Sequence, residues 1–444
     1  MVDIEKCATK ESDARLESIA SVTVVDDHSS ALPRSSLLVA GQKESDPADG
    51  GVQAWLTVFG AFMALFCTFG QLNSFGTFQS WYAEHQLRHL PPSTIAWIGS
   101  LQLWVFFFSG GFVGRFFDAY GPRVIMLPGT VVLTFSIMMT SISTQYYQYI
   151  LSQGILFGLG VGMIFYPPLA AISTHFSRYR ATALGIGIAG SGVGGVVYPI
   201  MFQQLFARVG FAWAVRISGF VSLSLCILAI ATVTKRPSIT QQCASWINVE
   251  MFKDTCFVLI TIASILISLG LFIPFFYIVD YAIDHGIAPS TAFYVLAVMN
   301  AGGILGRLAP AFLSDAIGRF NTIVPCAFLA GLSVLVFWIF TKSLVSIMLF
   351  AMVYGFFSGA FNALIIPCIA QISEMREIGT RIGVLYSIIS FPSLCGGPAA
   401  GALLKLGNGS YTGMIMLSGI SVIAGSFFLL WARITINTRA LACV

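Results

Sequence analysis

Apolar residues gather along the chain into twelve long runs separated by short polar breaks, at 54–77, 94–113, 124–143, 147–170, 181–205, 211–233, 256–279, 290–312, 322–341, 345–369, 380–404 and 412–432. Each run is close to the ~20 residues that carry a helix through the hydrocarbon core of a bilayer. The predicted fold is therefore all-α, a polytopic membrane protein with twelve transmembrane helices. The polar breaks suggest an organisation of residues 1–50 as a cytoplasmic tail, 51–234 as a first six-helix bundle, 235–254 as a cytoplasmic central loop, 255–433 as a second bundle and 434–444 as a short cytoplasmic tail. The first 50 residues are rich in Ser and Asp and nearly free of aromatics, which predicts disorder and argues against a cleaved signal peptide.

Composition sharpens this picture. Of 444 residues, 57% are hydrophobic and 9% charged, against roughly a quarter charged in an ordinary soluble domain. With the tail placed inside, seventeen of the 23 Lys and Arg fall on the cytoplasmic side and four outside, while Arg216 and Arg307 lie within runs. That asymmetry predicts that both termini are cytoplasmic, with the plasma membrane as the expected location. The net charge of +4 follows from the loops and gives no reason to invoke nucleic acid. The nine cysteines form no CxxC pair and read as small core residues, with no metal or other cofactor implied. Asn408, in "NGS", is formally a glycosylation acceptor facing outside. No HExxH, Walker A or nucleophile elbow is present, so enzyme chemistry finds little support.

The stretch "GIGIAGSGVGG", residues 185–195, contains a literal GxGxxG in Gly185, Gly187 and Gly190. A dinucleotide site would need a preceding strand and a following acidic residue, and the fifth apolar run supplies neither. Small residues instead recur at helical spacing, including Gly185, Ala189 and Gly192, the pattern by which two membrane helices bring their backbones together. Gly185, Ala189 and Gly190 are accordingly predicted to serve helix packing.

A repeat fixes the larger plan. "GRFFDAYGPR", residues 114–123, follows the second run and "AFLSDAIGRF", residues 311–320, follows the eighth. They align without a gap, Asp118 on Asp315 and Gly121 on Gly318, 197 residues apart. Each aspartate is placed at a helix end, where a carboxylate can accept from the N-terminus of a neighbouring helix or pair with arginines. Each glycine permits a tight turn. Gly114, Asp118, Gly121, Arg123, Asp315, Gly318 and Arg319 form a candidate conformational latch, and two parallel six-helix halves suit a transporter whose midplane site opens to each side in turn.

The repeated loop resembles the pattern G-x-x-x-D-(R/K)-x-G-x-(R/K) of the major facilitator superfamily, with Gly114, Asp118, Gly121 and Arg123 matching and Ala119 departing from it. "DGGVQAW", residues 49–55, and "HFSRYRATALGIGIAGSGVGG", residues 175–195, are similar to the two signatures of its monocarboxylate porter family, especially fungal members. The resemblance implies the superfamily fold of two pseudo-symmetric bundles, functioning as a monomer. It also implies that an arginine in helix 8, here Arg307, faces the cavity and meets a substrate carboxylate. The proton-coupled members carry an aspartate one turn earlier, where this chain has Gly303, and a lysine in helix 1, where it has Asn73. Simple proton symport is thereby put in doubt, although a coupled proton stays open.

An ionisable group inside a membrane helix is a functional candidate in its own right, and a guanidinium fork suits a carboxylate because two donors match two oxygens. A snorkelling arginine is the alternative. With Arg307, the neutral groups Asn73, Tyr166, Asn300 and Asn362 make up the candidate substrate site, each of them also open to the reading of helix-to-helix glue. Such a cavity, in a chain with 38 Phe and 8 Trp, suits an amphiphilic, weakly acidic or neutral organic solute. The expected function is secondary transport of a monocarboxylate or related metabolite, with export of a secondary metabolite favoured over import. The alternative is a nutrient sensor that keeps the fold and signals through its tail.

Overall fold

The computed structural model describes residues 50–90, 92–236, 249–374 and 377–437. The expected amino-terminal tail, most of the central loop and the last seven residues lie outside these. Among the described residues all regular secondary structure is helical.

Eleven helices among the described residues are long and apolar enough to cross a membrane. One of them, Arg180–Thr232, has 53 residues, and at 1.5 Å per residue it would run ~80 Å, far beyond a hydrocarbon core. Gly210, at φ 78° and ψ 168°, interrupts it, which gives twelve spans. We label them α1 (Val52–Glu84), α2 (Pro92–Tyr120), α3 (Pro122–Ile142), α4 (Tyr146–His175), α5 (180–209), α6 (211–232), α7 (Thr255–Asp284), α8 (Pro289–Ile317), α9 (Arg319–Trp338), α10 (Leu344–Gln371), α11 (Ile378–Leu406) and α12 (Thr412–Ile436).

Two departures from the hydrophobic pattern matter for the site. The second and eighth helices outrun their apolar segments and carry Asp118 and Asp315 within their last turn. A single glycine then joins each to the next helix, Gly121 at φ 80° and Gly318 at φ 104°. L side chains avoid that region, so the one-residue link depends on glycine. The other departure is that α1 and α7 are broken. α1 stops at Leu72 and resumes at Phe75, and α7 stops at Leu271 and resumes at Ile273, with Pro274 unable to supply a backbone donor across the break.

Each half closes on itself. In the first, α1 packs along α5 and α6, and α4 lies between α2 and α3; in the second, α7 packs on α12, and α10 contacts α8 and α9. The α1–α5 contact is nearly backbone on backbone. A Cβ on Gly70 would lie 2.7 Å from the Cα of Gly194, and one on Gly190 would strike the carbonyl of Phe62. Lipid tails are as apolar as leucine, so the attraction between such helices comes from close dispersion contact, which small residues permit. Between the halves the principal contacts are α2 with α11 and α5 with α8, related by the internal repeat.

Candidate functional site

The two aspartates of the repeat make the same structure twice. Asp118, at the end of α2, accepts hydrogen bonds from the backbone amides of Gly379 (3.2 Å) and Thr380 (2.6 Å) and from the Thr380 hydroxyl (2.6 Å), in the first turn of α11. Asp315, at the end of α8, accepts from the amides of Ala181 (3.1 Å) and Thr182 (2.7 Å) and from the Thr182 hydroxyl (2.7 Å), in the first turn of α5. Neither α5 nor α11 has a side-chain cap from its own segment. Each helix N-terminus, with unpaired amides and the positive end of its dipole, is capped by a carboxylate from the opposite half. Charge-assisted bonds of this kind are each worth about 1.5–3 kcal/mol.

Arginines add to the clasp. Arg319 Nη2 donates to the carbonyl of Ser177 across the halves at 2.7 Å, and its Nε lies 3.9 Å from the Asp315 carboxylate. Arg180 Nη1 donates in the other direction to the carbonyl of Ala370 at 2.9 Å. Arg123, by contrast, reaches the Ala231 carbonyl within its own half, while Lys235 Nζ donates to the Asp118 carbonyl at 2.8 Å. Just inside the clasp the helices touch through glycine. A Cβ on Gly114 would strike the Gly379 carbonyl, one on Gly383 the Gly110 carbonyl, and one on Gly185 would lie 2.6 Å from the Cβ of Ala311.

Further along the interface a cavity lies between the halves. Its first-half wall is largely aromatic: Phe69 of α1, Phe107 of α2 and Phe165 of α4. The second half supplies its own aromatics, Phe272 and Tyr386, and most of the polar groups: Ser264 and Ser268 of α7, Arg307 of α8 and Asn362 of α10. Arg307 is 5% exposed, and its Nε and Nη1 are buried with no hydrogen-bond partner. The Ser264 hydroxyl is buried and unpartnered as well.

Glycines seat this arginine. A Cβ on Gly192 of α5 would collide with Arg307 Nη1, and one on Gly303, a turn back along α8, would lie 3.5 Å from it. The guanidinium therefore occupies room that a side chain on Gly192 would fill, and Gly303 beside it carries no group that could neutralise it. Burying an ion without a partner costs several kcal/mol. A carboxylate or other oxyanion entering the cavity would offset that cost by accepting from the guanidinium.

The other predicted contacts divide. Asn362 shares the cavity lining with Arg307. Tyr166 lies behind the wall, 2% exposed, where its hydroxyl donates to the carbonyls of Phe106 (3.3 Å) and Phe107 (3.4 Å) and its ring meets Tyr386 at 5.3 Å. Asn73 sits at the break in α1 and Asn300 on α8, where a Cβ on Gly195 would lie 3.2 Å from Asn73 Nδ2 and 3.4 Å from Asn300 Oδ1, and Asn300 Nδ2 donates to the Leu296 carbonyl of its own helix. Ala189 is buried in α5, and Asn408 is exposed at φ 51° in the turn before α12. The pattern had not marked Thr182, Thr380, Gly379 or Gly383. A usable signal was present, since "AT" at 181–182 and "GT" at 379–380 open the two capped helices in the same register.

These features can be set beside known proteins. The family model described as Major Facilitator Superfamily matches residues 61–342 and 258–440. An "MFS transporter asaE" of Aspergillus flavus is 42% identical over 390 residues, covering 87% of this chain and 88% of that one. An "Aspyridones efflux protein" of Emericella nidulans is 40% identical over 86% of this chain and 78% of its own length, and an "Agnestins efflux protein" of Paecilomyces divaricatus is 36% identical over 88% and 89%. Among solved structures, the human organic anion transporter MFSD10 (TETRAN) superposes with a TM-score of 0.63 at 15% identity, covering 85% of this chain and 98% of that one, a likeness of fold. Twelve spans, halves clasped by a repeated carboxylate-to-helix contact and a matching family model lead to one conclusion: the chain belongs to the major facilitator superfamily of membrane transporters.

Proposed function

We propose that the protein is a plasma-membrane exporter of monocarboxylate-porter type, moving an amphiphilic, weakly acidic secondary metabolite out of a fungal cell by alternating access, with both termini in the cytosol. The observation that carries this reading is Arg307, whose guanidinium is buried, unpartnered on two nitrogens and set into an aromatic-walled cavity between the halves. It supplies two donors for an acidic head, and the phenylalanines supply a surface for an apolar body. The relatives named for efflux of aspyridones and agnestins favour export over uptake, and nothing in their names favours a sensor.

In this reading the Asp118 and Asp315 latches face the cytosol, and the structure is the state closed to it. Opening requires both carboxylates to leave their helix N-termini. The glycine-lined faces of α2, α5 and α11 then part from the helices they touch in the opposite half. The test is to delete the gene in the producing fungus and restore it as wild type or Arg307→Ala. Export predicts that an acidic product accumulates inside the deletion strain, is lost from the medium, and is recovered with wild type but not with Arg307→Ala. Unchanged extracellular products in the deletion strain would end the reading.

A further inference from the structure

We propose that the solute travels as a monoanion whose charge is met by Arg307 alone, with no proton passing through the protein. Each cycle then moves one negative charge across the membrane, driven by its potential. This rests on the transport reading above and specifies the charge and energy source of the same site.

The cavity lining contains one formally charged side chain, Arg307. What faces it from the packed elements is neutral: Gly192 and Ser191 from α5, Ser264 and Ser268 from α7, Asn362 from α10, and Phe107 and Phe165 across the cavity. The titratable groups near it are phenols, Tyr386 in the lining and Tyr166 behind it. Among the described residues the carboxylates stand elsewhere. Asp118 and Asp315 are engaged by three donors each at the clasp, Asp280 is exposed, and Asp284 accepts from Tyr411 beyond the α7 break. His175 is bonded to the Thr234 carbonyl at the clasp end.

A proton-coupled site needs a group that trades its proton against the solute, and the position beside Arg307 that could hold one is Gly303. With a glycine there, the guanidinium stays charged and unpaired until the solute arrives. A neutral solute would leave it unpaired, and a dianion would bring an uncompensated charge into an apolar chamber. A monoanion balances the site, so the loaded carrier crosses with a neutral centre and the empty one returns with a positive charge. The net result is one negative charge moved per solute. For a monoanion, each 100 mV of inside-negative potential supports roughly a 50-fold outward gradient.

The experiment uses the purified full chain in potassium-loaded liposomes with 2-naphthalenesulfonate, a planar anion whose charge does not titrate, and 2-naphthalenesulfonamide as its neutral counterpart. Sulfonate flux is expected to follow a valinomycin-set potential, to ignore a one-unit pH gradient at clamped potential, and to exceed sulfonamide flux at least tenfold. Arg307→Gln should abolish the voltage response, and Arg307→Lys should keep part of it. Gly303→Asp, which sets a carboxylate beside an intact arginine, should cut sulfonate flux at least tenfold and make the remainder pH-dependent. Monodispersity by size exclusion confirms that each variant folds. Flux that follows the pH gradient at clamped potential, equal carriage of the sulfonamide, or no sulfonate flux above protein-free liposomes would overturn the proposal. The exporter reading fails separately, through unchanged secretion in the deletion strain.

Discussion

Asp118 and Asp315 show how far a single side chain can be read from its neighbours in sequence. Both were legible because the motif occurs twice in register, but their partners lie 262 and 133 residues away. No local pattern reports that an aspartate on one helix caps another from the opposite half. Arg307 was legible as a charge at membrane depth, whereas its lack of a partner depends on Gly192 and Gly303 placing no polar side chain beside it. Tyr166 looked like a ligand contact for the reason that any polar group in an apolar run does. In a low-dielectric interior a neutral donor takes whichever carbonyl is nearest, and here that is the backbone of α2. Tyr166→Phe is therefore expected to cost about 1 kcal/mol of stability and to leave solute affinity unchanged, measurable by thermal unfolding and flux on the same sample. Asp118→Asn and Asp315→Asn should behave as equivalents. Each exchanges a charge-assisted cap for a neutral one and destabilises the clasped state by up to about 1.5–3 kcal/mol, a roughly 10- to 150-fold shift toward the opened state, readable as increased reactivity of a cysteine introduced at Thr182 or Thr380.

At the scale of elements, span number and approximate position followed from apolar run length, because the bilayer sets one length for all helices. Run length could not locate the breaks in α1 and α7, since the apolar runs 54–77 and 256–279 pass through both breaks without interruption. Pro274 was the one local signal for the second break, and the first lies at Asn73 and Ser74 with no proline at all. The glycines of α5 were legible as packing residues, but which helix each meets was not. Gly185 and Gly192 face α8 of the other half, whereas Gly190 and Gly194 face α1 of their own. Alanine should therefore act differently at these positions. Gly185→Ala and Gly383→Ala, on the moving interface, should hold the clasped ends apart and favour the opened state with little effect on folding. Gly190→Ala and Gly194→Ala should lower thermal stability in both states, because their contacts lie within one half. Melting curves combined with an accessibility probe at the clasp separate the two classes.

For the whole molecule, one buried charge lies between the halves and two reciprocal caps close one end; in the proposed cycle the halves rock while the caps form and release together. The symmetry is reciprocal: α2 caps α11 and α8 caps α5, each half supplying one carboxylate and one helix terminus, so separating the halves at this end breaks both contacts. Pulsed electron–electron resonance, with spin labels at Tyr120 and Glu374 on exposed positions of opposite halves at the clasp end, tests this most directly. A short-distance population in the wild type is expected to move to a longer one in Asp118→Asn/Asp315→Asn, further than in either single variant. A distance distribution unchanged by removing both carboxylates would contradict it.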